Sequence, residues 1–438
     1  MSTRSPARNK AVVELNKLRA DDREVHDWYR FVLSFPPHLV REYRERFRIG
    51  RGQTVLDPFC GTGTTLVECK KLGISSAGIE ANPMAWFASQ VKTRWEPDAD
   101  GLDQHASRVA EAAEKALAAD GIMDWPFFHA NPEKHQSLRR LSSESAKLLL
   151  RDSISPLPLH KTLVLLAALG EKRDERYWDH ERLALAKALV SDISNLRFGP
   201  EVGVGAVKQD PPVIAAWLNR VRSMVNDLRH LQSLNQHTSA KVFLGDARRV
   251  DELLAAQSID AVITSPPYPN EKDYTRTTRL ESVLLGFLRN KEDLRSLKQG
   301  FVRSNTRAVY KADDDDQWLV HCPDIAEIAE RIENRRSELG KTSGFERLYA
   351  RVTRLYFGGM ARHLANLRAV LRPGARLAYV VGDQASYFRV KIRTGQLLAE
   401  IGRSLGYELE GLDLFRTRMA TATREQLREE VVVFRWPG

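Results

Sequence analysis

Short apolar segments alternate with segments of helical periodicity near the start of the chain. Val55 and Leu56 predict a short strand that an Asp-Pro pair ends, and a helix is predicted from about Thr64 after a Gly-Thr-Gly turn. A second apolar run at 75–80 ends in a glutamate, and Pro83 opens the next helix at a position where the missing proline N–H leaves no hydrogen bond unmade. This strand–helix–strand–helix pattern is typical of a parallel α/β sheet.

The pattern changes between about 94 and 235. Alanine, leucine and charged residues dominate there, which predicts a mostly helical insertion. The segments 240–250 and 258–268 then restore the α/β rhythm. A polar, arginine-rich stretch follows Tyr274 and predicts a second, smaller insertion.

The C-terminal part predicts the elements that complete the sheet. A long helix leads to a turn at Pro373-Gly374 and then to an apolar strand. Two further strands, at 406–415 and 429–436, have a short connection and predict an antiparallel hairpin. We therefore expect three parts, which are an N-terminal part with a ligand-binding loop at 1–93, a helical insertion at 94–238, and a second α/β part at 239–438 with the smaller insertion at about 270–344.

Charge and cysteine content narrow the choice of partners. The 438-residue chain carries 67 Lys and Arg against 57 Asp and Glu, a formal net charge of +10, which favours an acidic partner such as nucleic acid. A basic protein without a polyanionic partner is the alternative. The 3 cysteines lack the spacing of a disulfide framework or a zinc site, so we expect no metal. No apolar run approaches the ~20 residues of a membrane helix, so we expect a cytoplasmic protein without membrane association.

Polar residues follow three of the predicted strands. The loop after the first strand reads D-P-F-C-G-T-G-T-T (57–65), where glycines allow a ligand to approach the backbone closely. Glu80 ends the second strand, where an acid can bind ribose hydroxyls, and the glycine loop favours this role over the alternative of an acid stabilised by a helix N-terminus. Asp246 ends the strand at 240–245 and is placed either to bind an adenine amino group or to cap a helix.

A fourth loop has an unusual composition. The apolar run 259–263 leads into Thr-Ser-Pro-Pro-Tyr (264–268), and two prolines continue neither a helix nor a central strand. The prolines fix the backbone, so that a carbonyl and the Ser265 hydroxyl are held in place beside the flat ring of Tyr268.

Together these segments resemble the S-adenosylmethionine-dependent DNA amino-methyltransferases, which methylate cytosine N4 or adenine N6. The segment 57–65 resembles the cofactor loop of that family, 34–47 the segment that precedes the loop in permuted members, 78–83 the ribose-binding strand end, and 265–268 the catalytic motif. The resemblance implies a Rossmann-like class I methyltransferase fold, with a mostly parallel sheet, an antiparallel C-terminal hairpin and a large helical insertion. The large insertion lies before 244–248, so the chain is not assigned to a permutation class.

The resemblance also implies roles for individual residues. The implied cofactor is S-adenosyl-L-methionine, and the residues expected to bind it are Phe35, Pro36, His38, Asp57, Pro58, Phe59, Cys60, Gly61, Gly63, Thr64, Thr65, Glu80, Ala81, Asn82, Asp246 and Ala247. The expected catalytic residues are Ser265, Pro266, Pro267 and Tyr268. The residues considered for DNA contact are Asp273, Tyr274, Arg276, Arg279, Arg303 and Arg307. A polar surface turn is the alternative for Asp273 and Tyr274. A solvated charge is the simpler alternative for each arginine taken singly, whereas the arginines as a group near the motif favour DNA.

The family chemistry agrees with these side chains. An exocyclic amine is a poor nucleophile because its lone pair is delocalised into the ring, and acceptors at Ser265 and Pro266 would localise that pair on nitrogen. Tyr268 offers a stacking face for a base extruded from the duplex. Methylation of cytosine C5 would need a placed thiolate, which Cys60, Cys69 and Cys322 do not supply.

The predicted function is therefore site-specific methylation of cytosine N4 in duplex DNA, within a restriction-modification or defence system that includes a cognate restriction endonuclease. Serine at the first motif position favours cytosine within the family, and adenine N6 stays open. Further alternatives are methylation of RNA guanine N2 or of a protein glutamine, whose enzymes prefer Asn or Asp before Pro-Pro-Tyr. A DNA-binding subunit without turnover is the non-enzymatic alternative, against which the intact motifs argue. Either insertion is a candidate for reading the DNA sequence or for self-association.

Overall fold

A seven-stranded sheet organises the chain. The structure is a computed structural model that describes residues 18–30, 34–124, 138–198, 201–232, 234, 237–320, 322–419 and 426–438. The strands of the sheet are β1 (Thr54–Asp57), β2 (Ser75–Glu80), β5 (Ala240–Leu244), β6 (Ile259–Thr264), β7 (Leu371–Gly382), β8 (Glu408–Met419) and β9 (Gln426–Arg435). A separate two-stranded ladder pairs β3 (Leu196–Phe198) with β4 (Val202–Val204).

The strand order is β5-β2-β1-β6-β7-β9-β8. The first five strands of this order are mutually parallel, whereas β9 runs antiparallel to both β7 and β8. The predicted Rossmann-like sheet with an antiparallel C-terminal pair is therefore confirmed. The carboxyl ends of β1, β2, β5 and β6 lie at one edge, and a ligand site is expected there in an open α/β sheet.

Alternating strand residues pack on the two faces of the sheet. Leu56 and Tyr379 belong to one core cluster, together with helices of the C-terminal half. Val55 and Val380 belong to the opposite cluster, which the helix Pro37–Phe47 covers. The inner strands β1, β6 and β7 are thus buried on both sides, as is typical of parallel strands, whereas the edge strand β5 is partly exposed.

Helices cover both faces and form the insertion. The α-helices are α1 (Pro37–Phe47), α2 (Thr64–Lys71), α3 (Pro83–Lys92), α4 (Ala99–Ala119), α5 (Ser143–Ala146), α6 (Pro156–Glu171), α7 (Trp178–Ala188), α8 (Val213–Leu231), α9 (Val250–Leu253), α10 (Tyr274–Thr277), α11 (Arg279–Leu284), α12 (Lys291–Gln299), α13 (Pro323–Glu338), α14 (Tyr349–Leu367) and α15 (Thr394–Ser404). In the described ranges, no helix is long and apolar enough to cross a membrane.

The segment 94–238 is mostly helical, as predicted, and it also holds the small β3–β4 ladder, which the pattern did not predict. Its helices share a core cluster with α3 of the sheet layer, where Trp217 and Leu183 lie with Phe87. A buried Asp124 carboxylate accepts hydrogen bonds from the first backbone N–H groups of α8 and pairs with Lys161. The helical segment is therefore packed against the sheet layer through a continuous apolar core.

One turn differs from its prediction. Pro373 and Gly374 were predicted to precede the strand, but both lie inside β7. Gly374 has a φ of 85°, its N–H donates to the Trp436 carbonyl at 2.7 Å, and the β6–β7 register shifts at this point. The Pro-Gly pair therefore forms a bulge in a strand that has already begun, rather than the connection before it.

Candidate active site

A cavity of about 470 Å³ opens at the edge where the parallel strands end. It has the size of a site for a nucleoside-sized ligand. Residues singled out from the sequence that line it are Phe35, Pro58, Phe59, Cys60, Gly61, Thr64, Glu80, Ala81, Asn82, Asp246, Ala247, Ser265, Pro266, Pro267, Tyr268 and Tyr274. The structure thus brings the two principal motifs, about 200 residues apart in sequence, to one cavity.

Glu80 organises the loop after β1. One carboxylate oxygen accepts from the Gly61 N–H at 2.8 Å, and the other accepts from the Asn82 N–H at 2.7 Å. Burial raises the pKa of Glu80 to about 7. Each oxygen keeps a second lone pair, so the carboxylate has capacity for a ribose diol in the cavity.

Gly63 allows the same loop to turn closely against α3. Its φ is 83°, and a Cβ at this position would lie 2.5 Å from the Ser89 Oγ and 3.2 Å from the Ser89 Cα. A side chain is therefore excluded by both backbone conformation and space. Gly63 supports the cavity from behind and does not line it.

Asp57 also lies behind the cavity wall. Its side chain is fully buried, and one oxygen accepts from the Thr264 hydroxyl at 2.6 Å and from the Phe59 N–H at 3.2 Å. Burial raises the pKa of Asp57 to about 6. Asp57 therefore joins the end of β1 to the end of β6, which holds the two motif loops together.

Asp246 lines the cavity and has an internal partner. Its carboxylate accepts from the Arg248 guanidinium at 2.6 and 3.0 Å and from the Arg248 backbone N–H at 2.9 Å. The side chain thus caps the 3-10 turn Ala247–Arg249. Asp246 therefore makes the cap considered as one alternative from the sequence, and it also lines the cavity.

The Ser265 hydroxyl is oriented by β7. It donates a hydrogen bond to the Val380 carbonyl oxygen at 3.1 Å. Its proton is thereby engaged by the Val380 carbonyl, so its oxygen is left to accept. Ser265, one of the predicted catalytic residues, can therefore accept a hydrogen bond from a ligand in the cavity.

Tyr268 is held by its neighbours. Its backbone N–H donates to the Tyr274 hydroxyl oxygen at 3.2 Å, which assigns Tyr274 an ordering contact within the motif. A Cβ at Gly382 would lie 3.1 Å from the Tyr268 Cε2, so the glycine leaves room for the ring. Burial, followed by the negative charge of Glu429, raises the pKa of Tyr268, and the ring therefore stays neutral at ordinary pH.

The C-terminal hairpin contributes residues that sequence analysis missed. Arg416 donates to both carboxylate oxygens of Glu429, at 2.5 and 3.0 Å, and Arg418 donates to the Gln384 side-chain oxygen at 3.0 Å. All four residues line the cavity, as does Lys272. Arg416 and Arg418 lie just beyond the strand predicted at 406–415 but inside the observed β8, and their i, i+2 spacing, which places two strand residues on one face, was the available signal.

Other predicted positions lie outside the cavity wall. These are Pro36, His38, Thr65, Asp273, Arg276, Arg279, Arg303 and Arg307, besides Asp57 and Gly63. Thr65 donates to the Ile263 carbonyl at 3.1 Å, and the His38 ring packs 6.3 Å from that of Phe415, which does line the cavity.

Besides Tyr274, the residues considered for DNA contact separate into those whose side chains have a partner within the protein and those that are more open to solvent. Asp273 pairs with Lys298 at 3.0 Å, and Arg279 donates to the Leu148 carbonyl at 3.2 Å. Arg303 is buried and pairs with Asp313. Arg276 is half-buried, and Arg307 is exposed beside the Phe345 ring. Arg307 is thus the arginine of this set that presents its charge to solvent.

The cavity fits the adenosyl cofactor that the resemblance implies. It combines apolar surface from Phe59 and Ile79 with the Glu80 carboxylate and the glycine loop. In the part of the chain that the structure describes, no group of three or more His, Cys, Asp or Glu side chains is arranged to hold a metal ion.

The known proteins that this chain resembles are methyltransferases, which agrees with the residues found in the cavity. A family model described as DNA methylase matches residues 30–86, which include the glycine loop and Glu80. The chain is 27% identical over 303 residues to the Type II methyltransferase M.BsoBI of Geobacillus stearothermophilus, covering 64% of this chain and 55% of that protein. It is 24% identical over 452 residues to the Type II methyltransferase M.AvaI of Nostoc sp. strain PCC 7120, covering 94% of this chain and 86% of that protein. The chain therefore spans about half the length of the first relative and most of the second.

Proposed function

Because the chain belongs to the DNA amino-methyltransferase family, we propose that it methylates the exocyclic N4 of cytosine at a specific site in duplex DNA. The proposed methyl donor is S-adenosyl-L-methionine. We include in the proposal a Type II restriction-modification setting in the cytoplasm, with a cognate endonuclease as the partner enzyme.

The contact between Ser265 and Val380 carries the proposal. With its proton donated to the Val380 carbonyl, the Ser265 oxygen is an acceptor for one N–H of an amine in the cavity. Pro266, also in the wall, supplies a backbone carbonyl for the second N–H. Two such acceptors orient the amine and concentrate its lone pair on nitrogen.

Alignment is the main contribution that this chain makes to the reaction. Glu80 and the glycine loop bind and orient the cofactor, and Tyr268 stacks on a base that has left the duplex. The cofactor, when bound, supplies an electrophilic methyl group on a sulfonium. Ser265 and Pro266 would hold the amine nitrogen towards that methyl group; displacement by the nitrogen would release the demethylated cofactor, and the proton that the nitrogen loses would pass to solvent.

A carbon-methylating mechanism is not supported. Cys60 lines the cavity, but burial and the charge of Glu80 raise the pKa of its thiol well above the usual value. A thiolate nucleophile is therefore disfavoured at this position. The neutral acceptor at Ser265 favours cytosine N4, and adenine N6 is the second candidate within the same chemistry.

The two insertions complete the proposal for DNA recognition. We assign target recognition to the helical part 94–238, and backbone contact to the smaller insertion at 270–344. Arg307 supports contact of the smaller insertion with the DNA backbone, because its side chain is exposed. Arg303 does not support it, because its guanidinium is paired with Asp313.

One assay tests the function. The purified chain is incubated with methyl-labelled S-adenosylmethionine and, in parallel, with mixed-sequence duplex DNA, RNA or protein extract, with Tyr268→Ala as the inactive control. We expect label in DNA alone, and N4-methylcytosine after digestion to nucleosides and mass spectrometry. If the product is N6-methyladenine, adenine replaces cytosine as the target base. Label only in RNA or protein would refute DNA as the substrate. No label, with DNA binding retained, would favour a non-catalytic subunit.

A further inference from the structure

The loop that follows Tyr268 is held in an uncommon backbone conformation. Glu271 has a φ of 63°, in the left-handed region that side-chain-bearing residues rarely occupy. Its two carboxylate oxygens accept from the Thr306 N–H at 2.9 Å and the Thr306 hydroxyl at 2.8 Å. Its own N–H donates to the Ser304 carbonyl at 3.3 Å. Ser304 and Thr306, further along the smaller insertion, therefore hold this loop in place at Glu271.

The contacts at Glu271 determine where the next residue lies. The Lys272 N–H donates to the Asn270 side-chain oxygen at 3.3 Å, and its carbonyl accepts from the Asn305 amide at 3.0 Å. With its backbone held on both sides, Lys272 places its side chain in the wall of the cavity that Ser265 and Tyr268 line.

Lys272 differs from the other cations of that wall. Arg416 pairs with Glu429, and Arg418 donates to the Asp383 carbonyl and to Gln384. Across the described residues, the Lys272 ammonium has neither an ion-pair partner nor a hydrogen bond. Burial and the nearby charge of Arg418 lower the pKa of Lys272, against the opposing effect of Glu201 and Glu429. A half-buried ammonium in this state gains from an incoming anion.

We propose that the Lys272 ammonium binds a backbone phosphate of the nucleotide whose base enters the cavity, which rests on the proposed DNA substrate. A compact ammonium is suited to a phosphate as a point charge. Contact with the base itself is disfavoured, because a cation beside the ring would oppose the positive charge that the amine gains as it attacks. Lys272 is thus a positioning residue that holds the extruded nucleotide through its backbone.

Neutral phosphate substitution tests this inference directly. Duplexes carry the methylated site, mapped from the labelled product, with one methylphosphonate immediately 5′ or 3′ of the target nucleotide. The full-length chain, Lys272→Gln, Lys272→Arg and Lys115→Gln are compared for kcat/KM and DNA affinity. Lys115 lies exposed on α4 and outside the cavity wall, so its variant removes one positive charge elsewhere.

The expected result is non-additive. One of the two methylphosphonates should weaken the wild-type chain and Lys115→Gln about tenfold, as for loss of a charged hydrogen bond. Lys272→Gln should lose about tenfold on unmodified DNA and less than about twofold more on the modified duplex. Lys272→Arg should keep the sensitivity, because it keeps the charge.

Several outcomes would overturn the inference. One is that the loss from Lys272→Gln and the loss from the methylphosphonate add fully at both phosphate positions. Another is that Lys272→Gln changes the preference between cytosine and adenine, which would place the contact on the base. An insensitive Lys272→Arg would also contradict it, provided that the melting temperatures of the variants match. If the wild-type chain methylates no DNA, the proposed function fails instead, which separates the two failures.

Discussion

The hydroxyl of Ser265 donates to the carbonyl oxygen of Val380 at a distance of 3.1 Å. Ser265 directly follows β6, which ends at Thr264, and Val380 lies within β7, the strand that pairs with β6. The sheet itself therefore sets the direction of the hydroxyl proton. A serine with this contact can accept from a substrate amine without reorganising.

Removing this acceptor should slow turnover and leave cofactor binding intact. For Ser265→Ala we expect kcat to fall about tenfold to a hundredfold, because ~1.5–3 kcal/mol of hydrogen bonding to a developing charge is lost. Cofactor affinity, measured by calorimetry, should change less than about twofold, because Ser265 belongs to the base side of the cavity. Ser258→Ala removes a comparable hydroxyl-to-carbonyl hydrogen bond, at 2.7 Å from the Ala255 oxygen, and serves as the matched control. An unchanged kcat in Ser265→Ala would contradict the assigned role.

Gly382→Ala should disturb the stacking face without changing the sequence of the motif. The added Cβ would lie 3.1 Å from the Tyr268 Cε2 and 3.2 Å from the Glu429 Cγ, so the ring must move by a few tenths of an ångström. We expect kcat to fall about fivefold to tenfold, since alignment of the target base is sensitive to small displacements. Gly203→Ala, in a strand position with nothing within 4 Å, is the control. Equal activity of the two variants would show that Tyr268 tolerates the shift.

Cofactor affinity should depend on pH through Glu80. Burial raises its pKa to about 7, and ribose hydroxyls donate to the ionised form. Affinity should therefore rise as pH increases through about 7 and level off above it, with about a tenfold loss at one pH unit below the pKa. Calorimetric titrations between pH 5.5 and 8.5, roughly spanning that pKa, test this expectation.

Glu80→Gln separates this effect from other groups. The variant should bind the cofactor more weakly at high pH, by ~1.5–3 kcal/mol, and should lose the pH dependence near 7. Asp57, whose pKa burial raises to about 6, remains in the variant, so any residual dependence near that pH reports Asp57. A pH profile identical to that of the wild-type chain would remove Glu80 from the binding role.

The sequence predicted the parts of the site that follow parallel strands. Glu80 ends β2 and Ser265 directly follows β6, and the carboxyl ends of these strands meet at one edge, so their proximity follows from the α/β pattern. Lys272 could not be predicted, because its position depends on the Glu271–Thr306 contacts between two loops without periodicity. Arg416 and Glu429 depend on the register of an antiparallel pair that contains two irregularities. The Pro373–Gly374 bulge was missed for the same reason, since register is a tertiary property.

Arg303 and Arg307 should behave in opposite ways, although the sequence grouped them together. Arg303 is 4% exposed, and its guanidinium makes two hydrogen bonds with Asp313, at 2.8 and 2.9 Å. Arg303→Ala leaves that largely buried carboxylate without its cationic partner and with the Tyr310 N–H as a remaining donor, so we expect a loss of ~3 kcal/mol in the free energy of unfolding, measured by denaturant titration. Arg307→Ala removes an exposed side chain and should change stability by less than ~0.5 kcal/mol.

DNA binding should show the reverse order once stability is accounted for. Arg307→Ala should weaken binding at low salt and reduce the slope of log affinity against log salt by about 1, because one phosphate contact is lost. Arg303→Ala, assayed at a temperature where it is folded, should keep the wild-type slope. The exposed arginine would then be the one that meets the DNA backbone, and the buried arginine the one that supports the loop through Asp313. A wild-type slope in Arg307→Ala, or a stable and fully folded Arg303→Ala with a reduced slope, would reverse that assignment.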